Sequence, residues 1–163
     1  MDYTKFNLKD LLEAAVKSEI DSYQLYSIMA KKTKNGLLQD KLNFLAKEEE
    51  KHQKFIEDIF KNQFPDKKLD LPDETLVPLP EIKINEETPM SKMLKQAMAA
   101  EKNASDFYKN LAERFEKDSD THKTLLYFAD MEVGHYKILE LEKQSMERFE
   151  DADQYWPMVH AGP

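Results

Sequence analysis

Four stretches of this chain each trace a seam in alternating steps of four and three residues, with a glutamate at its centre. Leu8, Leu12, Ala15, Glu19, Ser22, Tyr26 and Met29 form the first, and Leu38, Leu42, Leu45, Glu49, His52, Ile56 and Ile59 the second. Met90, Leu94, Ala97, Glu101, Ala104, Tyr108 and Leu111 form the third, and Leu125, Phe128, Glu132, His135 and Leu139 the fourth. Such a rhythm marks the buried stripe of a helix packed on other helices. The fold class expected is therefore all-α. A carboxylate in the middle of such a stripe costs several kcal/mol unless something compensates it. Two seams add a histidine three residues later, in Glu49-x-x-His52 and Glu132-x-x-His135, where both side chains share one helix face.

The pattern is an internal repeat. A shift of 82 positions lays Leu12 on Leu94, Glu19 on Glu101 and Tyr26 on Tyr108, and a shift of 83 lays Glu49 on Glu132 and His52 on His135. The chain reads as two copies of a helical hairpin. The first turn is expected at Asn35-Gly36, with Gly36 as a left-handed helix stop, and the second near Asp118-Ser119. Measured at the helical rise, the ligand-type residues of both hairpins lie roughly 20–25 Å from their turns. All six would meet at one level if the hairpins packed face to face.

Helices are expected over 8–34, with Asn7 as N-cap, and over 37–62. Thr88 as N-cap and Pro89 at the first helical position open a third helix, which runs to about Lys117, and a fourth covers 121–150. Between the hairpins, Pro65, Pro72, Pro78, Pro80 and Pro89 forbid a continuous helix, so the crossover spans about 63–88. It is long enough to traverse the bundle, which makes helices two and three parallel. The expected domain is a four-helix bundle over 1–150. The tail, 151–163, includes Gln154-Tyr155-Trp156-Pro157-Met158-Val159-His160 and is too apolar to float free, so it packs on the bundle or on a partner subunit.

Composition narrows the chemistry. Lys and Arg total 24 against 32 Asp and Glu, a net charge of −8, which argues against nucleic acid or an anionic membrane as partner. There is no cysteine among the 163 residues, which removes disulfides, iron–sulfur clusters and thiol catalysis. The N-terminal stretch lacks the apolar core of a signal peptide and no run reaches membrane-spanning length, so a cytoplasmic protein is the expectation.

With 34% charged residues, one Glu-x-x-His means little, and a lone core-facing Glu or His is usually a rim or hydrogen-bonded residue. Six of them, matched in symmetry and level, point to a dinuclear metal site instead. Four carboxylates balance two divalent ions and neutral imidazoles complete each metal. Oxygen-rich, thiol-free ligation suits iron or manganese, whereas zinc would be adventitious. The expected ligands are Glu19, Glu49, His52, Glu101, Glu132 and His135. Glu49 and Glu132 would bridge, Glu19 and His52 would serve one metal, and Glu101 and His135 the other. Tyr26 and Tyr108 could hydrogen-bond a ligand carboxylate or donate an electron, although a core tyrosine in need of a hydroxyl partner is the simpler reading. His122 reads as a solvated first-turn residue, and His160 as a remote candidate for a third metal role. Glu48, Glu50 and Asp130 read as a solvated face that could line a path for cations.

The paired set Glu19, Glu49-x-x-His52, Glu101 and Glu132-x-x-His135 resembles that of the ferritin-like superfamily, and within it the rubrerythrin-like proteins, over residues 8–150. The resemblance implies a non-haem di-iron centre, two iron ions per chain, that reacts with hydrogen peroxide or dioxygen in oxidative-stress or iron homeostasis, and a homodimer. It also implies a peroxide reductase or ferroxidase activity, the alternative being an iron-binding or storage protein without significant turnover. Two departures stand out. Rubrerythrins typically carry a further Glu one turn after the third-helix ligand, where this chain has Ala104, and the matching position on the first helix is Ser22. They often append a four-cysteine rubredoxin domain, and without cysteine the reductant must come from a separate electron-donor protein.

Overall fold

The computed structural model describes residues 3–73 and 88–155, with 149–155 described by their backbone alone. A short 3-10 turn, Tyr3–Lys5, precedes four helices: α1 (Leu8–Lys32), α2 (Gly36–Gln63), α3 (Met90–Ala112) and α4 (Asp120–Tyr155). No strand occurs among the described residues. The middle of the crossover and the end of the tail, residues 74–87 and 156–163, lie outside the described residues, as do His160 and the side chains of Gln154 and Tyr155.

Each helix boundary has a local cause. Asn7 is the N-cap expected, its side chain accepting from Asp10 N at 3.0 Å. The first turn differs from expectation. Thr33 is extended, Asn35 caps α2 by accepting from Leu38 N at 3.2 Å, and Gly36 is the first helical residue rather than a left-handed stop. Once a side-chain cap satisfies the start of α2, the connection needs no positive φ. At α3, Pro89 stands at the N-cap position with no side-chain cap bond, so Thr88 does not fill that role. The helix ends at Ala112, about a turn early, because Phe115 tucks against the core and His122 Nδ1 lies 2.8 Å from Ala112 O. His122 is thus a buried cap on α3, not the solvated residue its position suggests.

The core divides into two apolar clusters, and their membership gives the topology. One joins Leu11, Leu12 and Val16 of α1 to Ile56 and Phe60 of α2, Phe107 and Leu111 of α3, and Leu125 and Phe128 of α4. The other joins Met29 of α1 to Leu38 and Leu42 of α2, Met93 and Leu94 of α3, and Leu139 of α4. The start of α1 therefore meets the ends of α2 and α3 and the start of α4. α1 runs antiparallel to α2 and to α3, and α2 runs parallel to α3, as a long crossover requires. Close packing runs within the hairpins, α1 on α2 and α3 on α4. The hairpins meet each other more loosely, through α1 with α3 and α2 with α4. The start of the crossover is pinned by Glu13, a buried carboxylate that takes Lys9 at 2.7 Å and Asp70 N at 2.8 Å.

Candidate metal centre

Between the two apolar clusters lies one polar layer. Glu19, Glu49, His52, Glu101, Glu132 and His135 are each at most 4% exposed. The structure brings all six together, as two groups that share Glu49 and Glu132. Glu19, Glu49, His52 and Glu132 form one group, and Glu49, Glu101, Glu132 and His135 the other, with ligand atoms in each within 4.8 Å of one another. The helical repeat places them so: each seam turns its central Glu inward, and the i, i+3 histidine follows on the same face.

The eight carboxylate oxygens are divided with near two-fold symmetry. Glu49 presents Oε2 to His52 Nδ1 at 3.3 Å and Oε1 to His135 Nδ1 at 3.4 Å. Glu132 presents Oε1 to His52 Nδ1 at 3.1 Å and Oε2 to His135 Nδ1 at 3.0 Å. Each of these carboxylates thus spans both imidazoles. Glu19 and Glu101 serve one imidazole each, with Oε2 at 3.6 Å from His52 Nδ1 and 3.7 Å from His135 Nδ1 respectively. Their other oxygens are held across the hairpins. Tyr108 OH donates to Glu19 Oε1 and Tyr26 OH donates to Glu101 Oε1. The two imidazole rings lie nearly parallel, 5.9 Å apart and 18° from coplanar.

Burial and the mutual proximity of these groups set the electrostatics of the layer. Burial alone would lower the pKa of His52, yet the nearby carboxylates of Glu132, Glu19 and Glu49 push it up to about 12. Burial opposes His135 likewise, and Glu101, Glu132 and Glu49 override it to raise its pKa. Glu132 lies between the two rings. Burial would raise its pKa, but the His135 and His52 imidazoles beside it hold it well below the usual carboxylate range. Glu19 and Glu101 go the other way, raised well above that range by burial first and then by the charges of Glu49 and Glu132 respectively. Tyr108 is raised by burial and by Glu19 beneath it.

Whether these residues fit a metal pair is decided by their orphaned atoms. Glu19 Oε2, Glu49 Oε1, Glu132 Oε1 and both ring nitrogens of His52 are buried without an aligned hydrogen-bond partner. Three carboxylates approach His52 Nδ1, yet its N–H points squarely at none of them. Orphaned ligand atoms converging from three helices, α1, α2 and α4, are costly unless a cation satisfies them. The donor set, carboxylate oxygens with imidazole nitrogen, is that of octahedral or open iron and manganese sites. The residues fit two such ions.

The remaining sequence candidates fall away from the centre. Glu48 is buried against Lys51 at 2.5 Å rather than solvated, whereas Glu50 and Asp130 are exposed as expected. Ser22 and Ala104 are half-buried, one turn from Glu19 and Glu101. No helix of the described residues is long and apolar enough to cross a membrane. Sequence reasoning raised a carboxylate bond for each tyrosine but missed that the pairs are crossed, α1 to α3 and α3 to α1.

No curated protein matches this chain. Among solved structures, it is similar to a hypothetical protein from Pyrococcus furiosus, at 32% identity and a TM-score of 0.83, covering 91% of this chain and 95% of that one. The rubrerythrin family model matches residues 10–143, a span that holds both hairpins and all six clustered residues, so the chain belongs to the rubrerythrin family.

Proposed function

We propose that this chain is a non-haem di-iron oxidoreductase. It oxidises Fe(II) while reducing hydrogen peroxide, with dioxygen the less favoured oxidant, and draws its electrons from a separate donor protein. The observation that carries this reading is the division of the oxygens. Two carboxylates each face both imidazoles, and two each face one. That arrangement suits a bridged pair with a terminal carboxylate and an imidazole for each ion. Glu49 and Glu132 would bridge, Glu19 and His52 would complete one ion, and Glu101 and His135 the other.

Bound iron would supply two electrons and open positions at which an oxidant is polarised. The rest is done by the chain. Glu49 and Glu132, each facing both imidazoles, would hold the two ions together. Tyr26 and Tyr108 each occupy one oxygen of a terminal carboxylate, which holds that carboxylate in place and turns its other oxygen toward the centre. The apolar clusters above and below exclude bulk water, which strengthens every charge interaction in the layer. The same reading takes the protein as a cytoplasmic homodimer, with manganese as the alternative metal.

The test is an anaerobic Fe(II) titration followed by a stoichiometric pulse of hydrogen peroxide, with near-UV absorbance recorded in time. Saturation at two irons per chain and rapid growth of ferric absorbance are expected. Saturation with no response to peroxide would leave iron binding without turnover, and no saturable binding would refute the reading altogether.

A further inference from the structure

Of the three acidic residues that flank the central stripes, Glu50 and Asp130 are exposed, whereas Glu48 is only 9% exposed. Its place is fixed by its own file along α2. Lys41, Glu48 and Phe55 are spaced seven residues apart, two turns of helix, and so share one face. Lys41 pairs with Glu142 of α4, and the Phe55 ring meets Phe128 of α4 edge-on at 5.1 Å. Glu48, midway between them, therefore faces α4 between Phe128 and Glu142, at the height of Glu132 and His135. This is where α2 and α4 meet, a looser join than that of α1 with α3. The repeat supplies no second residue of this kind. The positions that precede the four central glutamates are Ser18, Glu48, Ala100 and Met131, and Glu48 alone among them is charged. A buried carboxylate is costly unless it is compensated. Here the compensation is Lys51 Nζ at 2.5 Å, from a lysine whose side chain is 68% exposed.

Resting on the reading of the polar layer as a metal centre, we propose that Glu48 is the residue through which divalent metal ions enter it, and that Lys51 is a counter-ion which the incoming cation displaces. The lysine reaches the carboxylate by one flexible arm from the solvent side. Little is lost when that arm swings out, because water receives the ammonium group. A divalent ion brings twice the charge of a lysine to the same oxygen, and it keeps part of its hydration shell there. The layer beyond offers Glu49 Oε1 and Glu132 Oε1, both buried without an aligned partner. An ion that leaves Glu48 thus passes from one carboxylate to several, and Lys51 closes behind it. The pair formed by Lys54 and Glu50, next along the same helix, has the same chemistry without the position. Its atoms lie 3.0 Å apart, and both side chains are more than half exposed.

The experiment mixes metal-free protein with Mn(II) in a stopped flow, where a weaker fluorescent chelator reports the free ion. Release is timed by mixing loaded protein with excess strong chelator, and equilibrium dialysis gives stoichiometry and affinity. Glu48→Gln is expected to slow uptake and release alike, by about tenfold, with two ions per chain still bound at equilibrium. Lys51→Met is expected to speed uptake several-fold. Glu50→Gln and Lys54→Met make the same charge changes on the exposed pair and are expected to keep the parental rates. Parental rates in Glu48→Gln, equal slowing in Glu50→Gln, or a weaker affinity at the parental uptake rate overturns entry at Glu48 and leaves the metal centre standing. Lys51 is exposed, so its variant decides the matter even if Glu48→Gln does not fold. Uptake by Lys51→Met no faster than by the parent or by Lys54→Met overturns the proposal. No uptake by the parent protein overturns the metal-centre reading and the entry route with it.

Discussion

Loading the centre with a redox-silent divalent ion should expel protons, and the structure says how many. His52 and His135 both carry raised pKa values in the metal-free chain, so each holds a proton at neutral pH that a metal on Nδ1 must displace. Glu19 and Glu101, also raised, contribute up to two more. Glu132, held ionised, contributes none. Filling both positions should therefore release between two and four protons per chain. The sign follows from the direction of the shifts. Groups with raised pKa hold their protons to higher pH, so metal competes with protons and affinity climbs as pH rises. Each proton is worth about 1.4 kcal/mol per pH unit, so overall binding should strengthen by about 3–6 kcal/mol for each unit between about pH 6 and pH 8. Calorimetric titration with Mn(II) in buffers of different ionisation enthalpy measures the count directly. Release of fewer than two protons, or an affinity indifferent to pH, would show that the imidazoles are neutral in the free chain and that the charge reasoning above is wrong.

Glu132→Ala should bring metal stoichiometry below two ions per chain, because it removes the carboxylate that faces both imidazoles; equilibrium dialysis with Mn(II) that still returned two ions would contradict this. Gly134 sits mid-helix between Glu132 and His135, and a Cβ there would meet nothing within 4 Å. Gly134→Ala should accordingly stabilise the protein by about 0.5–1 kcal/mol in urea unfolding, with metal stoichiometry unchanged. His122→Ala should cost about 0.5–1.5 kcal/mol by removing one of the two partners of Ala112 O, Phe115 N at 3.0 Å remaining, a fall in melting temperature seen without loss of metal binding. Phe60→Ala, in a fully packed part of the aromatic cluster, should cost about 3–5 kcal/mol, and a loss under 1 kcal/mol would mean that this end of the core is loosely filled.

Much of this architecture could be read from residue spacing alone, for a physical reason. A helix repeats a face every few residues, so the inward positions of α1 to α4 follow from sequence without tertiary knowledge, and a carboxylate at such a position stands out because its burial is costly. What could not be read depends on elements distant in the chain. The exchange of tyrosines between α1 and α3 needs the antiparallel direction of those helices and their rotation about their axes. The early end of α3 is invisible locally, since Glu113, Arg114, Glu116 and Lys117 are all good helix formers. It is Phe115 finding the core and His122 reaching Ala112 O that stop it. The segregation of aromatic rings to one end of the bundle is likewise scattered in sequence over Tyr3, Phe60, Phe107 and Phe128.

The looser contact between hairpins than within them has a consequence for how the centre is reached. Every ligand-type residue of α1 and α2 faces its counterparts on α3 and α4 across that one seam. The plane of weakest cohesion in the molecule and the plane of the six residues are therefore the same. A small parting of the hairpins, like a book opening on its spine, would uncover the whole centre at once while each cover stayed intact. On this view the protein needs no carved channel. A cation held by residues of both hairpins would clasp the two covers together.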